Sequence, residues 1–341
     1  MASAARLARR ATGRVEPNPR VGCVLLAAPP PGGAPTDPRP VLGRGFHRRF
    51  GGPHAEAAAL ADARRRGTLA PGFTAVVTLE PCCHTGKTPP CVDALLAAGV
   101  GRVVVGERDP DPRVSGGGLA RLRAAGVAVE RASTDATRRL LAPFAKRTRS
   151  GLPWVVAKWA QTLDGRVAAA GGDSKWISNP ASRRRVHRLR ARVDAVLTGV
   201  STVLADDARL TARGVRVHRE AKRVVLDRSG RLPAGAALLR GGPPVEVTAD
   251  PPEAVLRRLA AAGATNVLLE AGPRLTGAFF AAGLVDEVHA YVAPKLLGDP
   301  GGLPPAAVGP AGRIADARPL ELLRVEPIGG DVLLVYAAPR G

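Results

Sequence analysis

One histidine, one glutamate and two cysteines stand in an order that could build a hydrolytic metal centre. Glu56 lies two residues after His54, and Cys82 and Cys91 each follow a proline. A catalytic zinc ion takes three protein ligands and leaves a fourth position for water. One imidazole and two thiolates supply such a set. Glu56, at the start of a predicted helix, could then face the water without binding the metal, and could move its proton.

The spacing of these residues narrows the chemistry further. The order His-x-Glu, then Pro-Cys, then a second cysteine is typical of nucleobase deaminases, whose signature separates the cysteines by two residues. Here eight residues separate Cys82 from Cys91. The insert contains His84, Gly86 and Lys87, which are suited to holding a phosphate near the metal. One alternative stays open: with His84 as a fourth ligand, the site would be a closed structural zinc site.

Alternating strands and helices must position these residues. Strands are predicted over 21–26, 41–46, 75–79, 103–105 and 127–129, with helices over 56–66, 91–98 and 119–125. A second series predicts strands over 154–159, 195–198, 223–226, 266–269 and 288–292, with helices over 181–192, 252–262 and 275–282. Such alternation predicts the α/β class.

The length of 341 residues favours two domains. The polar, turn-rich segment 146–153 is the predicted linker, so we expect domains over 1–146 and 152–341. The Pro- and Gly-rich segment 29–40 is predicted to be a connecting loop.

The net charge of +21 allows a nucleic-acid-binding function, since clustered cations gain affinity from phosphates. However, only six of the 50 basic residues are lysines, which favours a compositional bias of the whole chain. Aromatic residues make up 3%, few for base stacking. Cysteines grouped near one motif favour metal binding in a reducing compartment, and no apolar run reaches membrane-spanning length. We expect a cytoplasmic protein without nucleic-acid or membrane partners.

The second half contains a turn that could hold a dinucleotide. The segment from Glu270 to Gly277 follows a predicted strand and opens a helix, where backbone amides can bind a pyrophosphate. It is not a Rossmann fingerprint, because no G-x-G-x-x-G follows a strand. By itself the segment is more typical of an ordinary tight turn.

Several longer motifs resemble one family, the bifunctional deaminase/reductase of riboflavin biosynthesis. Those in the first half are Pro17–Gly22, Gly45–His47, Pro53–Glu56 and Thr78–Cys91. Those in the second half are Trp154–Arg166, Ser174–Ser178, Thr198–Asp207 and Ala293–Gly298. The resemblance covers nearly the whole chain in the family's order. It implies a cytidine-deaminase-like domain, then a dihydrofolate-reductase-like domain that uses NADPH.

The resemblance also implies roles for individual residues of the first half. His54, Cys82 and Cys91 are expected to bind zinc, with Glu56 as the catalytic proton carrier. Expected substrate contacts in this half are Asn18, which touches the pyrimidine, and His84 and Lys87, which hold the ribose phosphate. Cys83 stands where the family has Ser or Asn; a packing role is expected, with competition for zinc or oxidation as alternatives.

In the second half, the positions that the resemblance assigns to the cofactor lie near strand ends. They are Ala160, Trp176, Thr202, Asp206, Gly272, Pro273, Arg274, Leu275, Thr276 and Gly277. Positions assigned to the substrate are Ser174, Arg190, Leu210, Arg213 and Glu270. The residues themselves suggest Arg228 and Ser229 for the 2′-phosphate of NADPH, and an orienting role for Lys158 and Asp164. No residue stands out as the proton donor of the reduction.

These observations predict a bifunctional enzyme that deaminates a small phosphorylated pyrimidine and then reduces its ribosyl group. Zinc and NADPH are the expected cofactors, and a homo-oligomer, dimer or tetramer, is the expected assembly. One alternative is a nucleic-acid or nucleoside base deaminase with a non-catalytic second domain. Another is a regulator without activity, which the intact His54, Glu56, Cys82 and Cys91 argue against.

Overall fold

The computed structural model describes residues 1–30, 38–85, 89–309 and 311–338. The chain divides into two units, Met1–Gly151 and Leu152–Gly341. The segment predicted as a turn-rich linker, 146–153, is instead helical as far as Ser150. Within the described ranges no helix is both long enough and apolar enough to span a bilayer.

The first unit is a five-stranded sheet with helices. Its strands are β1 (Gly22–Leu26), β2 (Val41–Phe46), β3 (Thr74–Leu79), β4 (Arg102–Glu107) and β5 (Ala128–Arg131). Its helices are α1 (Ala2–Arg9), α2 (Ala55–Arg65), α3 (Cys91–Ala97), α4 (Gly117–Ala124) and α5 (Asp135–Ser150). The strand order is β2-β1-β3-β4-β5; β1 is antiparallel to both neighbours, and β3, β4 and β5 are parallel.

Helix α2 lies unusually close to strand β2. A Cβ atom on Gly43 would be 2.4 Å from the Ala59 carbonyl oxygen, and one on Gly45 would be 2.3 Å from that of Ala55. Real Cβ atoms essentially never come so close to other atoms. The facing side of α2 is built from buried alanines, so backbone can pack against backbone. This contact fixes the depth of the helix that carries the predicted histidine ligand and glutamate.

The second unit is an eight-stranded sheet with helices. Its strands are β6 (Trp154–Gln161), β7 (Ala195–Gly199), β8 (Lys222–Leu226), β9 (Val245–Thr248), β10 (Asn266–Leu269), β11 (Glu287–Val292), β12 (Glu321–Ile328) and β13 (Asp331–Ala337). Its helices are α6 (Pro180–Arg190), α7 (Val200–Asp206), α8 (Pro252–Ala261) and α9 (Pro273–Ala281). The order is β12-β13-β11-β6-β10-β7-β8-β9, and only the pairs that involve β13 are antiparallel.

Both faces of this second sheet are covered by apolar packing. One face packs against α8 and α9 through residues such as Leu256 and Phe279, and the other carries a cluster that includes Val200 and Leu238. Parallel strands buried on both faces read as continuous apolar runs, as Ala195–Thr198 does. The predicted α/β class is confirmed in both units.

Several helices and strands of the structure were not predicted from the sequence. They are α1, α5, α7, β9 and the hairpin of β12 and β13. The predicted elements start and end close to the observed ones; for example, α9 begins at Pro273, two residues before its predicted start.

Candidate active sites

Three side chains of the first unit form a compact set of metal-binding atoms. His54, Cys82 and Cys91 each offer one such atom, and these atoms lie within 4.8 Å of one another. The His54 Nδ1 atom is 3.5 Å from Cys82 Sγ and 3.3 Å from Cys91 Sγ. Tetrahedral zinc with ordinary bond lengths would separate sulfur and nitrogen ligands by about 3.6 Å. The donor set and its spacing therefore fit zinc.

Helix starts place two of the three metal-binding residues. His54 is the N-cap of α2, and Cys91 is the first residue of α3. The Cys91 backbone N–H donates to Cys82 Sγ over 3.3 Å. Hydrogen bonds from the Cys91 thiol and, against the opposing effect of burial, from His54 lower the pKa of Cys82 to about 4. A thiolate is the form that binds a metal.

The alternative of a closed structural zinc site is not supported by the arrangement. In the described ranges, the group able to hold a metal consists of His54, Cys82 and Cys91. His84 is exposed, and Cys83 packs against the apolar core of the unit. Three protein ligands leave room for water as the fourth, which is the arrangement of catalytic zinc.

Glu56 lies in the first turn of α2 and is only 3% exposed. Burial is the main cause that raises the pKa of its carboxyl to about 7. It is not a member of the metal-binding group, and its side chain forms a hydrogen bond with Cys91. The predicted role of Glu56 as the proton carrier stays a prediction.

His47 is a site residue that the sequence analysis did not single out, although it belongs to the Gly45–His47 motif. Its ring packs edge-on against that of His54, with 5.2 Å between centroids. Its Nδ1 donates to the Pro53 carbonyl over 3.0 Å, so the neutral Nε2 accepts from the Asn18 amide over 3.1 Å. Burial lowers the pKa of His47, which favours this neutral form. The Asn18 amide oxygen is consequently turned away from His47.

Glu80, which precedes the metal-binding loop, anchors it through hydrogen bonds to backbone N–H groups. Its carboxylate accepts backbone N–H bonds of 3.0–3.3 Å from Asp109, Gly116, Gly118 and Leu119. These donors belong to the start of α4 and the loop before it. The segment that continues from Glu80 into Cys82 is thereby tied to the neighbouring β-α connection.

A buried ionic cluster occupies the second unit. Arg190 donates to Glu270 through Nε (2.6 Å) and Nη2 (2.9 Å), and the Lys158 amine lies 3.7 Å from the same carboxylate. Burial opposes ionisation of Glu270, but the Arg190 and Lys158 charges outweigh it and lower the pKa to about 2. Burial also lowers the pKa of Lys158, against the attraction of Glu270.

The cluster joins three elements and two predicted substrate residues. Lys158 comes from β6, Arg190 from the end of α6, and Glu270 from the end of β10. The remaining Arg190 nitrogen, Nη1, donates to the Thr211 carbonyl over 3.3 Å. Arg213, another predicted substrate residue, is exposed and donates to the Thr211 hydroxyl over 3.1 Å.

The turn from Gly272 to Gly277 lies at the carboxyl edge of the sheet and forms the start of α9. The Thr202 hydroxyl accepts from the Gly272 N–H over 3.0 Å, so two predicted cofactor residues are in direct contact. Gly277 leaves no room for a side chain, because a Cβ there would lie 2.0 Å from the Ala307 carbonyl oxygen. Arg274 is exposed on this helix start, whereas Thr276 is buried.

Other predicted cofactor and substrate residues meet around the loop after β6. The Ser174 hydroxyl donates to Asp206 over 3.1 Å, and the exposed Trp176 ring lies 4.5 Å from the Arg183 guanidinium. Ala160 is partly buried beside the Tyr291 cluster. Asp164 instead has a structural position, since its two oxygens accept from the backbone N–H groups of residues 297 and 298.

Four further predicted positions are Leu210, Arg228, Ser229 and Lys87. The side chain of Leu210 is buried in the core, so only its backbone, at φ 56°, is available to a substrate. Arg228 is exposed, and the Ser229 hydroxyl accepts from Arg231 over 3.0 Å. Lys87 lies outside the described residues.

Comparison with known proteins assigns each half of the chain to a family. Residues 1–107 match the cytidine and deoxycytidylate deaminase zinc-binding region, and residues 153–334 match the RibD C-terminal domain. The first match contains all three metal-binding residues described above. The second contains the ionic cluster and the Gly272–Gly277 turn.

Full-length relatives share both halves. The riboflavin biosynthesis protein RibD of Escherichia coli is 38% identical over 98% of this chain and 97% of its own. RibD of Mycobacterium tuberculosis is 42% identical over 96% of this chain and 93% of its own. The Thermotoga maritima structure of a diaminohydroxyphosphoribosylaminopyrimidine deaminase/5-amino-6-(5-phosphoribosylamino)uracil reductase is 34% identical, with a TM-score of 0.87, and the match covers 99% of this chain and 97% of that one. The chain therefore belongs to the RibD family of riboflavin-biosynthesis enzymes, with a zinc-binding deaminase domain followed by a reductase domain.

Proposed function

We propose that this chain catalyses two consecutive reactions on one phosphorylated pyrimidine. The first hydrolyses the exocyclic amine of 2,5-diamino-6-(5-phosphoribosylamino)pyrimidin-4(3H)-one and releases ammonia. The second reduces the ribosyl group of the deaminated product to a ribityl group with NADPH. The observation that carries the proposal is the three-ligand metal-binding set with an unligated, buried Glu56 beside it, in a chain that also contains the reductase domain.

Side chains of the first unit divide the deamination between them. His54, Cys82 and Cys91 would hold a zinc ion, which would supply a nucleophilic water molecule at neutral pH. Glu56 accepts the proton of the attacking water and returns it to the departing amine. Asn18, fixed by its hydrogen bond to His47, presents its amide oxygen to a donor group of the pyrimidine.

Side chains of the second unit position the ribosyl carbon and supply a proton. Thr202 and the Gly272–Gly277 turn would hold NADPH, which would supply the hydride. Lys158 is the proton donor that the sequence alone did not identify, because its buried amine lies beside Glu270 on the central strand. The Glu270 carboxylate favours the charged form of that amine against the effect of burial, and Arg190 holds the carboxylate in place.

Two sets of cations serve the substrate phosphate. His84 and Lys87 belong to the insert between the two cysteines and serve the deaminase. Arg213, together with the free N–H groups of Arg190, serves the reductase, since a guanidinium can donate two parallel hydrogen bonds to a phosphate.

The proposal is tested with purified protein, zinc, NADPH and the diaminopyrimidine ribotide. Ammonia release and NADPH oxidation should both occur, and oxidation should begin only after deamination. Glu56→Gln should abolish ammonia release while zinc stays bound. The same variant should still oxidise NADPH when the deaminated intermediate is supplied. If the wild-type protein does not consume NADPH with that intermediate, the reductase assignment is wrong.

The assembly and location are also part of the proposal. We expect a homo-oligomer, dimer or tetramer; strand β12 is an edge strand with Leu322 and Val325 each 53% exposed, which supports pairing with another chain. Light scattering should therefore give a mass at least twice that of one chain. A cytoplasmic location is supported by four free cysteines, two of which serve as zinc ligands and require a reducing environment.

A further inference from the structure

The loop 207–213, which follows helix α7 and contains the expected substrate residues Leu210 and Arg213, has a strained backbone. Asp207 has φ 45° and Leu210 has φ 56°. In the parts of the chain that the structure describes, these two are the only residues other than glycine with a positive φ. Such conformations cost free energy, persist only where the surrounding structure holds them, and are concentrated at functional sites. The contacts that hold this loop therefore bear on substrate binding.

Arg223, at the start of strand β8, is a buried cation that reaches this loop. It is 2% exposed. Its Nη1 donates to the carbonyl oxygens of Arg209 over 3.3 Å and of Leu238 over 2.6 Å. Its Nη2 donates to the carbonyls of Gly241, over 2.8 Å, and of Pro243, and its Nε also donates to Pro243, over 3.1 Å. All five N–H groups of the guanidinium are thereby used, and every acceptor is a backbone carbonyl.

The contact with Arg209 acts directly on the strained position. The Arg209 carbonyl belongs to the planar peptide group that precedes Leu210, so its orientation sets the φ of Leu210. Burying a charge is costly unless hydrogen bonds satisfy it. Within the described ranges Arg223 forms no ion pair, so its carbonyl contacts alone offset that cost. An apolar side chain could fill the same space without the cost, but it could not hold the carbonyls.

The residue after Leu210 packs against the same support. A Cβ atom on Gly242, which has φ 79°, would lie 3.2 Å from Thr211 Cγ2 and 3.3 Å from Arg223 Nη2. The Thr211 carbonyl accepts from Arg190 Nη1 over 3.3 Å, and the Thr211 hydroxyl accepts from Arg213 over 3.1 Å. A continuous set of contacts thus connects Arg223, through the loop, to both arginines that are expected at the substrate.

We propose that Arg223 is a positioning residue of the reductase site, which holds loop 207–213 in the conformation that presents the Leu210 backbone and Arg213 to the substrate. The inference rests on the proposed reduction and deepens it. Because Arg223 is buried, it touches neither substrate nor cofactor. The expected cofactor contacts, Thr202 with Gly272, do not involve this loop. Arg223 should therefore affect the affinity for the substrate and leave the affinity for NADPH and the chemical step unchanged.

Steady-state kinetics with the deaminated intermediate distinguish positioning from a purely structural role. R223M should raise the KM for the intermediate about tenfold, with kcat and the KM for NADPH within about twofold of wild type. R223K, which keeps the charge but has fewer donors, should recover part of the affinity. The control is D286A, since Asp286 is 4% exposed and accepts the Val155 N–H over 2.8 Å where β6 and β11 begin. It should lower the urea midpoint and change neither KM.

A double-mutant cycle asks whether Arg223 acts through the loop. R213Q alone should raise the KM for the intermediate, because it removes a cation from the substrate phosphate. In the R213Q background, R223M should raise that KM by at most about threefold more, because the side chain that it positions is already lost. Full multiplication of the two effects would show that Arg223 does not act through Arg213 and would overturn the inference.

G242A disturbs the same support without removing a hydrogen bond. Its methyl group would press on Thr211, so the KM for the intermediate should rise about threefold. G235A is the control, because a Cβ there would meet nothing within 4 Å. An unchanged KM in R223M, or in G242A if R223M does not fold, would overturn the positioning role. A wild type that does not reduce the intermediate would instead refute the reductase function on which the inference rests.

Discussion

The zinc site of the first unit and the ionic cluster of the second are assembled in different ways. The zinc-binding residues and Glu56 all lie between His54 and Cys91, at the starts of α2 and α3 and in the loop between β3 and α3. The parallel pairing of β6 with β10 brings Lys158 and Glu270 together, and Arg190 reaches them from the end of α6. The first site is encoded by local spacing, and the second by sheet topology.

This difference explains why the zinc site could be recognised from a short motif and the cofactor and substrate contacts could not. A metal ion demands particular ligand types at particular distances, so a short motif carries most of the information. Dinucleotide and sugar phosphate contacts need only donors at strand ends, which many sequences can supply. Because the two sites are built from separate residues, a substitution in one site should leave the activity of the other unchanged.

Loss of a zinc ligand should have the largest effect. Replacing Cys82 with alanine removes one of three ligands, so zinc content should fall and ammonia release should drop to the uncatalysed background. NADPH oxidation with the deaminated intermediate should stay within about twofold of wild type, since a site in a separate domain makes no use of the metal. Metal analysis and both assays check this. A parallel loss of NADPH oxidation would show that the two sites are not independent.

Replacing Lys158 with methionine should have the second largest effect. The loss of the proton donor should lower kcat of the reduction about 100-fold or more, with ammonia release unchanged. Lys222→Met, which removes an exposed lysine paired with Glu246, is the matched control. An unchanged kcat of the reduction in Lys158→Met would show that Lys158 is not the proton donor.

The ionic cluster should also give the second unit an acid-sensitive stability. The pKa of Glu270 is about 2 in the folded protein, against 4.5 in the absence of the fold. A depressed pKa stabilises the fold above pH 4.5, and this contribution, at most about 3 kcal/mol, disappears as the pH falls towards 2. The difference in unfolding free energy between wild type and Glu270→Gln should therefore shrink in acid.

Tryptophan fluorescence during urea unfolding measures this difference in the second unit alone. Trp154, Trp159 and Trp176 are the three tryptophans of the chain, and all belong to that unit. A wild-type advantage that stays constant from pH 7 to pH 3 would contradict the ionised Glu270.

Replacing Glu80 should have the smallest effect of the four. Glu80→Ala leaves four backbone N–H groups without their acceptor and loosens the segment that leads to Cys82. Zinc affinity should fall about tenfold, by analogy with groups that orient metal ligands. Competition with a chelating dye measures it, and Glu130→Ala, an exposed carboxylate on β5, is the control. An unchanged zinc affinity would show that Glu80 stabilises the fold but does not orient the zinc ligands.

Most strands and helices could be predicted, because apolar runs and Gly or Pro boundaries mark them. The hairpin of β12 and β13 was missed although Gly329 and Gly330 separate its strands. Strand β12 is an exposed edge, so its apolar alternation is weak. Helix α5 contains Pro143 and many charges, and its capping box pairs Thr134 with Thr137 instead of the usual Glu or Gln, so its start was not recognised.

The site residues also differ in whether the sequence alone could identify them. The zinc ligands and Glu56 could be identified because their spacing has a chemical reason. The partnership of His47 with Asn18 could not, since it joins residues that only strand pairing brings together. The pairing of Arg190 with Glu270 was likewise invisible, although both residues were expected near the substrate.

The contact between α2 and β2 gives the deaminase an unusual kind of vulnerability. Gly43 and Gly45 take no part in chemistry and lie on a different element from every zinc ligand. Yet a single methyl group added at either position would push α2 away from β2 and displace His54 and Glu56 with the helix. The two cysteines, anchored elsewhere, would stay behind. Variation that looks conservative on β2 can thus dismantle a catalytic centre that it never touches.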